Sequence, residues 1–247
     1  MQVLRLSTQL HKWIALVVGL QVLFWVAGGL VMTAIPIERV RSEHRLAQRD
    51  LPPLEFDAAV PAAEAARAAG VGPLASATLK GTPRGPVWVL TPVGKGEPKT
   101  VDALTGGPLE RLTAAEARAV AQAAYTGPGQ PVAARFYAKP PQETGKETPL
   151  WRVEFDDPEG TAFYVAPDTG EVVTRRSNVW RFYDFFWRLH ILDFKEGDDF
   201  NHPLLVALTA LTLPVVITGL ILLWIRVGRD LRGFLARRRR AAAAGRG

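Results

Sequence analysis

The sequence predicts an α+β domain inserted between two transmembrane α-helices. Three observations carry that expectation. Two uncharged apolar runs of 23 residues each stand near the ends of the chain. Between them a helix-then-antiparallel-strands pattern occurs twice. The charge is divided unevenly, with basic ends and a mildly acidic middle.

Residues 1–12 form a short N-terminus carrying Arg5 and Lys12. Residues 13–35 read WIALVVGLQVLFWVAGGLVMTAI, with Gln21 as the strongest polar residue. As a helix this run spans about 34 Å, enough to cross a hydrocarbon core. It is longer than the core of a cleaved signal peptide, about 7–15 residues. Pro36-Ile-Glu-Arg-Val-Arg offers no clear small-x-small cleavage site, so a retained anchor is expected. Residues 36–55 are a charged membrane-proximal linker, read as a helical extension broken at Asp50-Leu-Pro-Pro.

The first repeat covers residues 56–112. Its Ala-rich start, Phe56 to Gly70, reads as a helix with Asp57 as cap and Gly70 as stop. Strands are expected at Ser76–Lys80, Val87–Thr91 and Thr100–Val101. The second repeat covers residues 113–178. Thr113 and Glu116 have capping-box spacing before another Ala-rich helix. Strands are expected at Pro131–Tyr137, Leu150–Phe155 and Thr161–Val165. Trp88 and Trp151 lie 63 residues apart, and Gly106 and Gly170 lie 64 apart, which points to duplication. A unit of about 60 residues builds little core alone, so the two are expected to pack together.

Residues 179–194 form an aromatic stretch in which Trp180, Tyr183, Trp187 and Ile191 share one helical face. This predicts an interfacial helix, serving either as a lipid anchor or as a platform beside the second span. Residues 203–225 form that span. Pro214 and Gly219 lie inside it, and membrane helices tolerate both. Trp13, Trp180, Tyr183, Trp187, Trp224 and Arg226 are the expected interface residues. The small residues Gly28, Gly29, Thr209, Thr212, Thr218 and Gly219 allow close helix packing within the chain, in a homodimer or on a larger complex. Residues 226–247 form an Arg-rich tail.

The 247 residues hold 30 Lys+Arg against 24 Asp+Glu, for a net charge of +6. A pI near 9.9 raises the question of nucleic acid. The distribution answers it. Residues 1–12 carry +2, residues 226–247 carry +7, and residues 36–202 carry −3. The positive-inside rule then places both termini in the cytoplasm and the middle outside. The Arg237–Arg240 run reads as a topology signal and anionic-lipid anchor, not a nucleic-acid arm. The 48% hydrophobic content excludes a wholly disordered chain. Zero cysteines exclude disulfides, thiolate metal sites and covalent c-type haem.

No His-Glu-x-x-His, Gly-x-Ser-x-Gly or phosphate-cradling loop occurs. Asp156, Asp157 and Glu159 surround a Pro-Glu-Gly turn, and Asp198-Asp199 follow Lys195-Glu-Gly; both groups read as solvated turns. The four histidines, His11, His44, His190 and His202, all fall in or near membrane-proximal segments. Neutral imidazole is a ligand for haem iron. His11 is separated from the other three by the membrane thickness, so it can share one haem with none of them in a monomer. A homodimer would supply it a symmetric mate.

Trp151-Arg-Val-Glu-Phe155, followed by a strand ending in Asp168-Thr-Gly-Glu-Val172, resembles the PepSY domain. Leu10-His-Lys-Trp-Ile-Ala-Leu16, Leu189-His190 and Thr218-Gly-Leu-Ile-Leu-Leu-Trp224 resemble the PepSY-associated membrane helices. The likeness covers nearly the whole chain and implies tandem PepSY-like repeats between the spans. Larger members have four membrane helices, where this chain has two. The resemblance implies a membrane-anchored binding or regulatory module in a bacterial inner membrane. Its periplasmic domain would contact a protein or peptide, with a protein partner or homodimer expected and the lipid bilayer as its support. The alternative it implies is a b-type haem redox protein related to ferric-siderophore reductases, and then a ferric reductase if an enzyme at all.

Overall fold

In chain order the computed structural model contains α1 (Gln2–Ala34), α2 (Ile37–Val40), α3 (Ala62–Ala68), β1 (Leu74–Thr82), β2 (Gly85–Pro92), β3 (Lys99–Asp102) and α4 (Ala114–Ala124). These are followed by β4 (Pro131–Tyr137), β5 (Leu150–Phe155), β6 (Ala162–Val165), β7 (Val172–Arg176), α5 (Asn178–Ile191) and α6 (Pro203–Ala244). The structure describes residues 2–47, 51, 53–195, 197, 199 and 201–244; the side chains of 2–11, 221, 222, 225 and 237–244 are outside that description. Asp50, Asp198 and Arg246, on which sequence expectations fall, lie outside the described residues.

The chain divides into two compact units. One comprises residues 35–183 and the other residues 1–34 with 184–247. The first is α+β. It holds two antiparallel sheets, β1-β2-β3 and β4-β5-β6-β7. β4 and β5 match their predicted bounds; β7 is a strand the sequence pattern did not isolate. Its run, Val172-Val-Thr-Arg-Arg176, has no alternating apolar face, and its place is fixed by pairing with β6.

The two sheets repeat their contacts. Trp88 pairs across its sheet with Val101, and Trp151 with Val165. The Trp88 indole donates to the Val60 carbonyl at 2.9 Å, and the Trp151 indole to the Leu112 carbonyl at 3.0 Å. Val60 and Leu112 each stand immediately before the capping residue of a helix, Pro61 for α3 and Thr113 for α4. Ala65 and Ala117, five residues further on, are both fully buried. A ring nitrogen from the sheet thus fixes where each helix begins, and a small side chain lets the helix lie close to the strands. Gly106 and Gly170 both adopt left-handed backbone, at φ +70° and +73°. Each donates its N–H to the carbonyl four residues back, in Asp102 and Ala166.

The second core is the larger. It gathers Leu112, Ala117, Ala121, Tyr125, Val153, Phe155, Phe163 and Val165. The first gathers Ala65, Ala66, Leu90 and Val101. The ends of the two helices follow their local chemistry. In α4 the predicted capping box forms, with Glu116 accepting from the Thr113 N–H at 2.7 Å and Thr113 Oγ1 accepting from the Glu116 N–H at 3.3 Å. In the first repeat the helix is shorter than expected. Residues 56–58 make a 3-10 turn, Pro61 takes the cap position, and Asp57 caps nothing. Gly70, at φ +61°, ends α3 as predicted.

The second unit contains α1, the later part of α5, and α6. Lys12–Ala34 and Pro203–Leu220 are long and apolar enough to cross a membrane. α1 and α6 touch. On α1, Val18, Gln21 and Gly28 are buried and Trp25 is partly so; this 3-4-3 spacing marks one helical stripe. α6 is one continuous helix through Pro214.

Candidate functional site

Gly28 of α1 lies directly against α5. A Cβ at this position would stand 3.2 Å from the Phe186 carbonyl oxygen and 3.3 Å from His190 Cβ and Nδ1. One turn earlier on the same stripe, the Trp25 indole donates to the His190 backbone carbonyl at 2.7 Å. That carbonyl is among the last of α5, where no intrahelical donor remains, so the indole supplies one. Gly28 lies six residues before Ala34, about 9 Å down the helix axis. The end of α5 therefore packs within the apolar stretch of α1. His190 Nδ1 is buried there without a hydrogen-bond partner.

The chain leaves α5 through a loop ordered by Asp193. Its carboxylate accepts from the N–H groups of Lys195 at 3.0 Å, Gly197 at 2.7 Å and Asp199 at 3.2 Å. The Trp187 indole donates to the Gly197 carbonyl at 2.9 Å. Trp187 thus holds the loop, whereas Phe182 and Phe185 face outward. Trp180 stacks under the Arg176 guanidinium, 4.2 Å from its ring centroid. Trp13, Trp224 and Arg226 are exposed.

Of Gly28, Gly29 and Gly219, only Gly28 is closely approached by another helix. Gly29 and Gly219 face open space. Thr218 turns its hydroxyl back to the Pro214 carbonyl at 2.8 Å. Thr212 bonds the Leu208 carbonyl at 2.7 Å and is buried, as is Gln21, whose Nε2 has no partner.

The histidines separate. His11 lies in α1, with its side chain outside the description. His202 precedes α6 and accepts the Val206 N–H on its carbonyl; its Nδ1 is buried without a partner. His44 belongs to a different cluster, within the α+β unit. Its Nε2 lies 3.5 Å from Glu159 Oε2, which Arg45 Nε also approaches at 3.5 Å, while Arg39 stands 3.9 Å from Oε1.

The acidic turn after β5 is therefore a structural hub, contrary to the solvated turn expected from sequence. Glu159 gathers the side chains of Arg39, His44 and Arg45 from the linker. Asp157 is buried, and it accepts from the Tyr125 hydroxyl at 2.7 Å, the Thr161 N–H at 2.7 Å and the Thr161 hydroxyl at 2.5 Å. Burial pushes the Asp157 carboxyl upward, but the Thr161 and Tyr125 donors and Arg45 outweigh it and hold the group below the usual carboxylate range. Burial, then the Asp157 hydrogen bond, raises Tyr125 to about 12. A second carboxylate, the half-buried Glu143, accepts from Tyr164 and pairs with Arg181 at 3.2 Å. Sequence reasoning missed it. Nothing in Pro141-Gln-Glu-Thr144 announces that a 3-10 turn will deliver its carboxylate to the last strands.

An apolar groove of about 360 Å³ lies against α4 and the start of β7, lined by Leu46, Leu51, Pro83, Val120, Ala124 and Val172 among others. Beside it, Arg84 donates to the carbonyls of Glu110 at 2.6 Å and Asp168 at 2.7 Å. Lys80 and Glu171 pair at 2.7 Å. Among the described residues, no group of three or more His, Cys, Asp or Glu side chains is placed to hold a metal ion.

Two apolar helices and an interposed α+β unit define a membrane-associated protein. The family model for the PepSY-associated TM region matches residues 8–246, and the chain belongs to that family. No curated protein and no solved structure matches it.

Proposed function

We propose that this chain is a membrane-anchored binding or regulatory module, with tandem PepSY-like repeats that contact a protein or peptide as an accessory subunit of a membrane complex. The observation that carries this reading is the apolar groove against α4 and the start of β7. It is bounded by charged residues whose hydrogen bonds are already used internally, as in Arg84 and the Lys80–Glu171 pair. Such a surface suits an apolar peptide segment better than a small polar substrate. The charge partition supports an arrangement with both termini in the cytoplasm and the repeats in the periplasm of an inner-membrane protein.

The test is whether a protein co-purifies with the full chain in detergent, and whether Val120→Asp with Val172→Asp removes that same protein. Loss of the partner with unchanged thermal unfolding supports the reading. Retention of the partner by the double variant removes the groove from it.

A second reading, b-type haem, draws on His190 and His202, whose Nδ1 atoms are buried without hydrogen-bond partners. His44 suits it less, because Glu159 engages its Nε2. Those two imidazoles would hold the iron, and the bound group would supply electron transfer. The visible spectrum of the protein expressed with haem supply, with and without dithionite, decides it. No Soret band ends this reading.

A further inference from the structure

α6 does not stop where its apolar run stops. The first charge is Arg226, yet the helix continues to Ala244, about 28 Å further along its axis. This extension is amphipathic. Val227, Leu231 and Leu235 recur at i, i+4 and i+8, and all three side chains are about half exposed. Phe234 falls on the same face. Arg229, Arg232 and Ala236 lie round the other side of the helix, on the spacing of 100° per residue. From Arg226 to Arg240 there are seven arginines and one acid, Asp230.

We infer that this stripe is a docking face for the anionic phospholipid surface from which α6 emerges, with the helix leaning onto the headgroups instead of projecting into water. Three features select lipid over other occupants. The apolar stripe continues directly from a membrane-crossing segment, so its natural neighbour is the same bilayer. The opposite face and the Arg237–Arg240 run match a negative surface potential. A second copy of the segment would bring like charges together, since one acid faces seven arginines in each. Gly228 and Gly233 have nothing near their Cβ positions and lower the stiffness of the helix where it must bend.

The absence of cysteine makes the test direct. Leu231→Cys and Ala236→Cys, on opposite sides of the helix, are each labelled with a polarity-sensitive fluorophore in the full chain. The proteins are placed in nanodiscs of phosphatidylcholine alone or mixed with phosphatidylglycerol. The expected result is a blue-shifted emission at 231 in the phosphatidylglycerol discs, reversed by high salt, with 236 remaining water-like. Arg229→Gln and Arg232→Gln should each lower the bound-to-free ratio about fivefold. Equal, water-like emission at both positions in anionic discs overturns the inference. So does a shift at 231 that persists in phosphatidylcholine and high salt, together with disulfide dimers of the unlabelled Leu231→Cys protein on mild oxidation, which assigns the stripe to a second copy. A shift at 231 that appears only when another protein is added overturns it in favour of an acidic partner.

Discussion

The Trp25 indole of α1 and the backbone carbonyl of His190 in α5 meet at 2.7 Å, one helical turn from the glycine that lets the two helices touch. This bond closes an otherwise unfilled helix end in apolar surroundings. Trp25→Phe keeps an aromatic side chain and removes the donor. It should destabilise the protein by about 1–2 kcal/mol, read as a lower thermal midpoint in detergent.

Gly28 and Gly29 are neighbours in sequence with opposite surroundings. A methyl at Gly28 meets Phe186 and His190 at 3.2–3.3 Å, so Gly28→Ala should loosen α5 and Gly28→Leu should displace it. Gly29→Ala meets open space and should be neutral or stabilising by up to about 1 kcal/mol through helix propensity. Equal losses at both positions would show that a different surface of α1 makes the contact.

Gln21 is buried with its Nε2 unpartnered in an apolar helix. An unsatisfied amide costs about 1–3 kcal/mol. Gln21→Leu should therefore raise the thermal midpoint. A fall instead would reveal that the amide has a partner in the membrane-embedded protein.

Asp157 should make the α+β unit acid-sensitive. Its pKa in the folded state is lowered, so the stability it contributes is present above its unfolded value, near 4, and is lost as the pH falls through the folded value. Glu143 shifts in the same direction: burial raises it, but Tyr164 and Arg181 prevail. Tyr125 acts at the other extreme. Its contribution is complete below about 10 and is lost as the pH rises through about 12. Chemical denaturation across pH should show both losses, and Asp157→Asn should flatten the acid limb.

Trp88 and Trp151 hold equivalent helix starts in separate cores. Each Trp→Phe change should cost about 1 kcal/mol, and the double variant should be close to additive, because the two sites share no partner. Strong coupling in a double-mutant cycle would mean that the two cores report on each other.

Much of this was readable from the chain. The apolar runs, the Thr113 cap, the bounds of β4 and β5, and the paired tryptophans follow from local chemistry that the chain states outright. The tryptophan spacing even located the matching contacts. What escaped was non-local. Asp157 and Glu159 look like surface residues until Tyr125 and the linker arginines fold onto them. Gly28 and Gly29 look alike because a 100° turn of the helix separates their environments, and one sequence cannot say which face a distant helix will cover. Of the four histidines, His44 was diverted by a carboxylate more than a hundred positions away.

The turn after β5 has a mechanical consequence. Glu159 takes Arg39, His44 and Arg45 from the segment that follows α1, and its carbonyl takes the Asn178 N–H at the start of α5. The Asn178 side chain leaves no room for one at Gly160, whose φ is +58°; an added Cβ there would lie 2.9 Å from Asn178 Nδ2. Incoming and outgoing chain are thus pinned at one turn, between β5 and β6. Tension along the polypeptide would pass from the linker to the start of α5 through that turn, while Arg84 and the Lys80–Glu171 pair tie the first sheet to the second part of the domain.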